Sequence, residues 1–138
     1  YGHTGSGKTH TMMGGQSLAV SKDSGMLPRL LADIQASHAK DPAKAKRQYT
    51  CQFYEIYNET VKDLLLPANV SDRERTCKVH VHPVHGVHVQ GLTTTVLSNF
   101  QESFEEAMHL CAFGNSMRAT AATTMNERSS RSHAIFTF

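Results

Sequence analysis

Gly2-His3-Thr4-Gly5-Ser6-Gly7-Lys8-Thr9 satisfies G-x-x-x-x-G-K-[ST] at every defined position. Each fixed residue type has a chemical reason. Glycine lets the backbone curl until successive N–H groups point at one centre, and a helix starting just beyond adds a dipole that favours anions. Lys8 brings a cation to the β- and γ-phosphates of a nucleotide, and the Thr9 hydroxyl can ligate a Mg²⁺ ion carried by those phosphates. The bland alternative, a flexible Gly-Ser turn, is disfavoured by the spacing. The loop points to a nucleotide and is silent on the reaction.

Two further constellations could do chemistry. Asn126-Glu127-Arg128-Ser129-Ser130-Arg131-Ser132-His133 packs three hydroxyls, an amide and two guanidinium groups into one short stretch. Taken alone it is either a serine-rich surface loop or a loop that offers hydroxyls to a γ-phosphate, to Mg²⁺ or to an attacking water. His80, His82, His85 and His88 are crowded together, and imidazole suits Zn²⁺. No Cys-x-x-Cys pair or second ligand cluster accompanies them, so a surface role is the stronger expectation.

These groups need elements to hold them. A helix is expected from Lys8 to Met13, broken by Gly14-Gly15, and Ser17 to Gly25 reads as an exposed loop. Leu27, Leu30, Leu31 and Ile34 recur at helical spacing and predict a helix over Leu27–Ser37, with Pro28 in its first turn. Ala39 to Gln48 is a polar, Lys-rich loop. Tyr49–Tyr57 has the aromatic and β-branched content of a strand, and Val61–Leu66 follows as a short buried strand or turn. Val79, Val81, Val87 and Val89 alternate with polar residues, which predicts two strand segments with one polar face. A third helix is expected to be capped by Ser98 and Gln101, to bury Phe100, Phe104, Ala107, Met108 and Cys111, and to stop at Gly114. Arg118–Ser132 then reads as a loop, and Ala134–Phe138 as a strand. Alternating helices and strands place the chain in the α/β class.

Composition excludes more than it asserts. The 138 residues are 39% hydrophobic and 19% charged, which suits a soluble globular chain and excludes collagen-like, coiled-coil and strongly disordered classes. A net charge of +2 is too mild for a nucleic-acid binder, and no apolar run is long enough to span a membrane. Three widely spaced cysteines, Cys51, Cys77 and Cys111, read as free thiols in a reducing cytosol.

Together, Tyr1-Gly2-His3-Thr4-Gly5-Ser6-Gly7-Lys8-Thr9 and the segment Asn126–His133 closely resemble the phosphate loop and switch I of the kinesin motor domain. Gly25-Met26-Leu27-Pro28-Arg29 resembles the family's G-I-I-P-R. Glu55-Ile56-Tyr57-Asn58-Glu59 with Asp63-Leu64-Leu65 resembles E-I-Y-N-E-x-x-x-D-L-L, and His85–Leu92 resembles its G-V-Y-V-x-G-L strand. The resemblance covers essentially the whole chain, in order.

It implies a kinesin-type P-loop NTPase fold, with a central mixed β-sheet flanked by helices. It also implies an ATP hydrolase that moves along microtubules, in the cytoplasm and on the cytoskeleton, with tubulin as partner and a dimer formed through other regions. By position, Gly2, His3, Thr4, Gly5, Ser6, Gly7, Lys8 and Thr9 would hold the phosphates of ATP, and His10 would lie near the adenine. Asn126 and Ser129 would face the γ-phosphate, with Ser129 positioning the attacking water. Ser130 would reach the γ-phosphate and, with Thr9, Mg²⁺. Arg131 would pair with a switch II glutamate. His3 departs from the usual glutamine, with little effect expected. The family's first strands, D-x-x-G switch II, main microtubule-binding region and neck have no counterpart here, so the chain is expected to be a partial motor domain, inactive by itself. A non-motile, kinesin-like microtubule-binding protein with little ATP turnover is the alternative; an unrelated P-loop kinase or NTPase fits the serine segment poorly.

Overall fold

The structure, a computed structural model, describes residues 2–3, 5–15, 20–40, 48–84, 86–97, 103–122 and 131–138. They fall into two compact units, Tyr1–Tyr49 with Leu97–Met108, and Thr50–Val96 with His109–Phe138.

In the first unit, α1 (Lys8–Met13) follows the glycine-rich loop, and α2 (Met26–Ala39) slightly exceeds the span expected from its leucines. Leu31 is buried, but Leu30, assigned by spacing to the same face, is 57% exposed. An apolar stripe at i, i+3 and i+4 is wider than the strip this helix covers. His38, buried near the end of α2, shares a 2.7 Å hydrogen bond through Nδ1 with the Tyr49 hydroxyl.

The end of α1 meets the start of α2 at two glycines. A Cβ on Gly14 would sit 2.3 Å from the Asp23 carbonyl oxygen, and one on Gly25 would sit 2.5 Å from the Met12 carbonyl. Only hydrogen fits at either position. Arg29 then gathers the carbonyls of the preceding turn, donating to Ser24 (2.9 Å), Lys22 (3.0 Å) and Ser21 (3.1 Å). Gly25-Met26-Leu27-Pro28-Arg29 is therefore a closure motif: glycine for close approach, proline for the first helical turn, arginine for orphan carbonyls.

The second unit is organised on β1 (Thr50–Tyr57), whose alternating residues Cys51, Phe53 and Glu55 are all buried. A two-residue turn at Asn58 and Glu59, both at positive φ (48° and 61°), leads into β2 (Thr60–Asp63). That primed turn matches the right-handed twist of the strands. β3 (Thr76–His82), β4 (Gly86–Gln90) and β5 (Thr95–Val96) complete the order β4-β3-β2-β1-β5, and β6 (His133–Thr137) also pairs with β1, placing Phe136 opposite Phe53. The α/β class is as expected. Of the mixed sheet expected, the described residues form antiparallel pairs only.

Two expectations are corrected. The helix α3 (Ser103–Ala122) does not stop at Gly114 but runs through it, and Arg118 to Ala122, read as loop, are helical. Glycine costs about 1 kcal/mol in a helix interior, which good helix formers on either side can carry. Here the absence of a side chain is used: a Cβ on Gly114 would fall 2.1 Å from Phe53 Cδ1. The valines of the β3–β4 hairpin alternate as expected, and Val79, Val81 and Val87 are 51%, 78% and 70% exposed. Only the base of the hairpin is covered among the described residues, with Cys77 buried and Val89 half-buried. The Ser98–Gln101 cap, Phe100 and most of the polar loop from Ala39 to Gln48 lie outside the described residues; Ala107, Met108 and Cys111 are buried as expected.

Candidate nucleotide-binding site

The loop before α1 owes its shape to glycine in two different ways. Gly5 and Gly7 have φ of +81° and +82°, where an added Cβ would meet open space, so backbone conformation is what demands glycine there. At Gly2 the demand is room, since a Cβ would approach Ser6 Oγ to 2.3 Å. Ser6 N–H closes a turn onto the His3 carbonyl at 3.1 Å.

Gly7 is the N-cap of α1 and supplies no side-chain cap. Its carbonyl accepts the first helical bond, from Thr11 N–H at 2.9 Å, and also the Thr11 hydroxyl at 3.2 Å. The first-turn N–H groups of a helix have no intrahelical acceptor, so they stay available to an anion. Lys8 Nζ turns back over the loop and donates to the carbonyls of Gly2 and His3, the latter at 2.8 Å. Ammonium and helix start thus belong to one exposed cradle, with Thr9 and His10 exposed on the first turn of α1. First-turn N–H groups and a cation, with no carboxylate in that first turn, are the kind of donor set a polyanion needs.

Arg131 is described, exposed, and stands two residues before β6. Thr4, Asn126, Ser129 and Ser130 lie outside the described residues. Among the described residues no group of three His, Cys, Asp or Glu could hold a metal ion. His80 and His88 face each other across the β3–β4 ladder, and His80 Nε2 bonds Gln90 Oε1 at 2.8 Å, so His80, His82 and His88 decorate a hairpin surface; His85 lies outside the described residues. No helix of the described residues is long and apolar enough to cross a membrane.

Several residues of the E-I-Y-N-E and D-L-L resemblances turn out to hold the second unit together. Asp63 is fully buried; Oδ1 accepts Leu65 N–H at 2.8 Å and Oδ2 accepts Thr93 N–H at 2.6 Å, fastening the end of β2 to the chain before β5. Arg75, also buried, donates to the carbonyls of Val70, Leu66 and Pro67. Glu55, on β1, pairs with Arg118 on α3, with Arg118 Nε 3.2 Å from Glu55 Oε1. The other arm of the guanidinium, Nη2, donates to Ser132 Oγ at 3.0 Å. Reading residues 118–132 as loop hid Arg118. The signal that could have placed it on a helix is the run of strong helix formers Ala119, Ala121 and Ala122.

Comparison with known proteins agrees over the full length. The kinesin motor domain family matches residues 1–138. Kinesin-like protein KIF14 of Mus musculus is 39% identical over 99% of this chain, which spans 8% of that protein. Kinesin heavy chain of Gibberella moniliformis is 38% identical over 99% of this chain and 14% of its own length. Among solved structures, a fast kinesin, described with implications for ATPase mechanism and interactions with microtubules, superposes with a TM-score of 0.75 at 36% identity. That match covers 99% of this chain and 36% of that one. A KIF14 dimer with AMP-PNP in complex with a microtubule gives 0.71 at 36% identity, covering 99% and 35%. This chain therefore spans about a third of the solved motor chains and a smaller part of the curated relatives. With one glycine-rich cradle before α1, one serine-rich segment before β6 and the family match from the first residue to the last, the chain belongs to the kinesin motor domain family.

Proposed function

We propose that this chain is the phosphate-reading part of a microtubule motor, binding MgATP at Gly2–Thr9 and coupling its hydrolysis to movement along microtubules. The carrying observation is the loop itself: Gly7 in the left-handed region opens α1, and Lys8 Nζ already lies over the carbonyls of Gly2 and His3.

In this reading Gly5, Ser6, Gly7 and Lys8 supply N–H groups to the phosphates, with Gly2 and Thr4 completing the loop and Lys8 Nζ moving from its own carbonyls to the β- and γ-oxygens. Bound Mg²⁺ would neutralise developing charge, with Thr9 and Ser130 as its protein ligands. His10 lies toward the adenine. Asn126, Ser129 and Ser130 sense the γ-phosphate, and Arg131 holds the serine segment through a carboxylate elsewhere in the motor domain. Partner and location follow: microtubules, cytoplasm and cytoskeleton, with dimerisation set by other regions.

The test is equilibrium binding of a fluorescent ATP analogue to the intact motor protein and its Lys8→Ala variant, followed by microtubule-stimulated phosphate release. Loss of at least a hundredfold in affinity in the variant, with stimulated release in the wild type, is expected. Microtubule binding without any turnover would instead establish the non-motile reading.

A further inference from the structure

Arg118 has no part in the nucleotide reading given so far, yet it joins three elements. Its guanidinium uses Nε for Glu55 on β1 and Nη2 for Ser132, which immediately precedes β6. Glu55 is 2% exposed and the Arg118 side chain 16%, so water competes weakly for either arm. Ser132 adjoins Arg131 in the chain. Beyond Ser132, His133 is held opposite Ile56 in the β1–β6 ladder, one residue along β1 from Glu55. The backbone on the far side of Arg131 is thus fixed at two successive points, one through a ladder and one through a side chain.

A side chain serving stability alone would be satisfied by the buried carboxylate. The second arm, reaching a serine hydroxyl at the end of the Asn126–His133 segment, is what a planar fork provides and a point charge does not. We propose that Arg118 is a positioning residue for the nucleotide-hydrolysis step, holding Ser132 against the Glu55 anchor so that Arg131 is presented in one place. The inference rests on the nucleotide reading of the preceding subsection and deepens it. In this reading Arg118 acts through the chain at Ser132.

The experiment uses Arg118→Lys, Ser132→Ala and the double variant in the intact motor protein. Lysine keeps a cation beside Glu55 but cannot serve both arms, and Ser132→Ala removes one exposed-side acceptor without touching the buried pair. Wild type and variants are compared by thermal unfolding, by nucleotide affinity, by kcat at saturating ATP and by amide hydrogen exchange at residues 131–133. Expected are unfolding unchanged in Ser132→Ala and lowered in Arg118→Lys by loosening of the buried Glu55 pair, nucleotide affinity within about twofold, faster exchange at 131–133, and a fall in kcat of about tenfold to a hundredfold, the scale for a misplaced reacting group. The double variant should be no slower than the worse single one, because both act through one bond. Wild-type kcat in both single variants, unaltered exchange at 131–133, or independent multiplication of the two effects would each overturn the proposal. A wild-type protein that binds no nucleotide would overturn the nucleotide reading itself, which the affinity measurement shows separately, and this inference with it.

Discussion

The ring of Phe53 occupies the space that a side chain on Gly114 would need, with Cδ1 2.1 Å from the position of a Cβ. Two residues along β1, Glu55 meets Arg118, four residues along α3 from Gly114. The two steps are nearly equal in length. Two strand residues advance about 6.7 Å and four helical residues about 6 Å, so strand and helix stay in register over successive contacts. Phe53 also meets Phe136 of β6 edge to face, with centroids 5.5 Å apart. One aromatic ring thereby ties helix, central strand and neighbouring strand.

Replacing Gly114 with alanine should test that close approach. In an exposed helix the change would stabilise by about 1 kcal/mol. Here the methyl must displace the Phe53 ring, and overpacking of this kind costs about 1–3 kcal/mol. A lowered midpoint in chemical denaturation is expected, and Gly114→Ala together with Phe53→Leu should recover part of the loss. A midpoint raised by Gly114→Ala alone would contradict the geometry.

Asp63 gives a sharper case, because its two carboxylate oxygens accept from two different backbone N–H groups. Asparagine has the same shape but a single acceptor oxygen, so one buried N–H would face an amide NH2. Asp63→Asn should therefore destabilise by about 1–3 kcal/mol, the cost of an unsatisfied buried donor. Hydrogen exchange would locate the damage at the Leu65 or Thr93 amide.

Glu59 adopts φ of 61° at the second position of the β1–β2 turn, where glycine is the preferred residue of a primed turn. Glu59→Gly relieves the left-handed strain of a side chain while adding freedom to the unfolded chain. The expected balance is a gain of roughly 0.5 kcal/mol in unfolding free energy with no change in nucleotide binding. Reduced stability would mean that the Glu59 side chain contributes a contact larger than the strain.

Burial pushes the Cys111 thiol up to about 11, against an ordinary value of 9.0. Because the folded thiol holds its proton more tightly than the unfolded one, stability is fully present below about pH 9 and falls as pH rises toward 11. Denaturation midpoints measured from pH 8 to pH 10.5 should fall in that window, and Cys111→Ser should flatten the fall. At pH 8 the thiol should resist alkylation until the protein is unfolded, since the thiolate is the reactive form.

The parts of this protein fixed by the sequence are those written in neighbouring residues. Gly2 to Thr9 match the phosphate-loop pattern because backbone curl, positive φ and a lysine are all local requirements, and the structure shows Gly5 and Gly7 at positive φ. β1, β6, α1 and α2 were legible for the same reason, as was the hairpin of β3 and β4, whose alternation is a property of the strand itself. Tertiary structure alone decided what those patterns face. Alternating Val79, Val81 and Val87 look like a buried face until one sees that no described element covers them. Gly114 carries the local signature of a helix end, yet α3 continues because Phe53, distant in sequence, needs the missing methyl. Asp63, Arg75 and Arg118 were invisible as structural residues because each is satisfied around a turn or by chain farther away, where no helical or strand periodicity links the partners. Conformational preference is local and acts through a few dihedral angles; burial and hydrogen-bond satisfaction are set by whichever surface arrives opposite, and only folding brings that surface there.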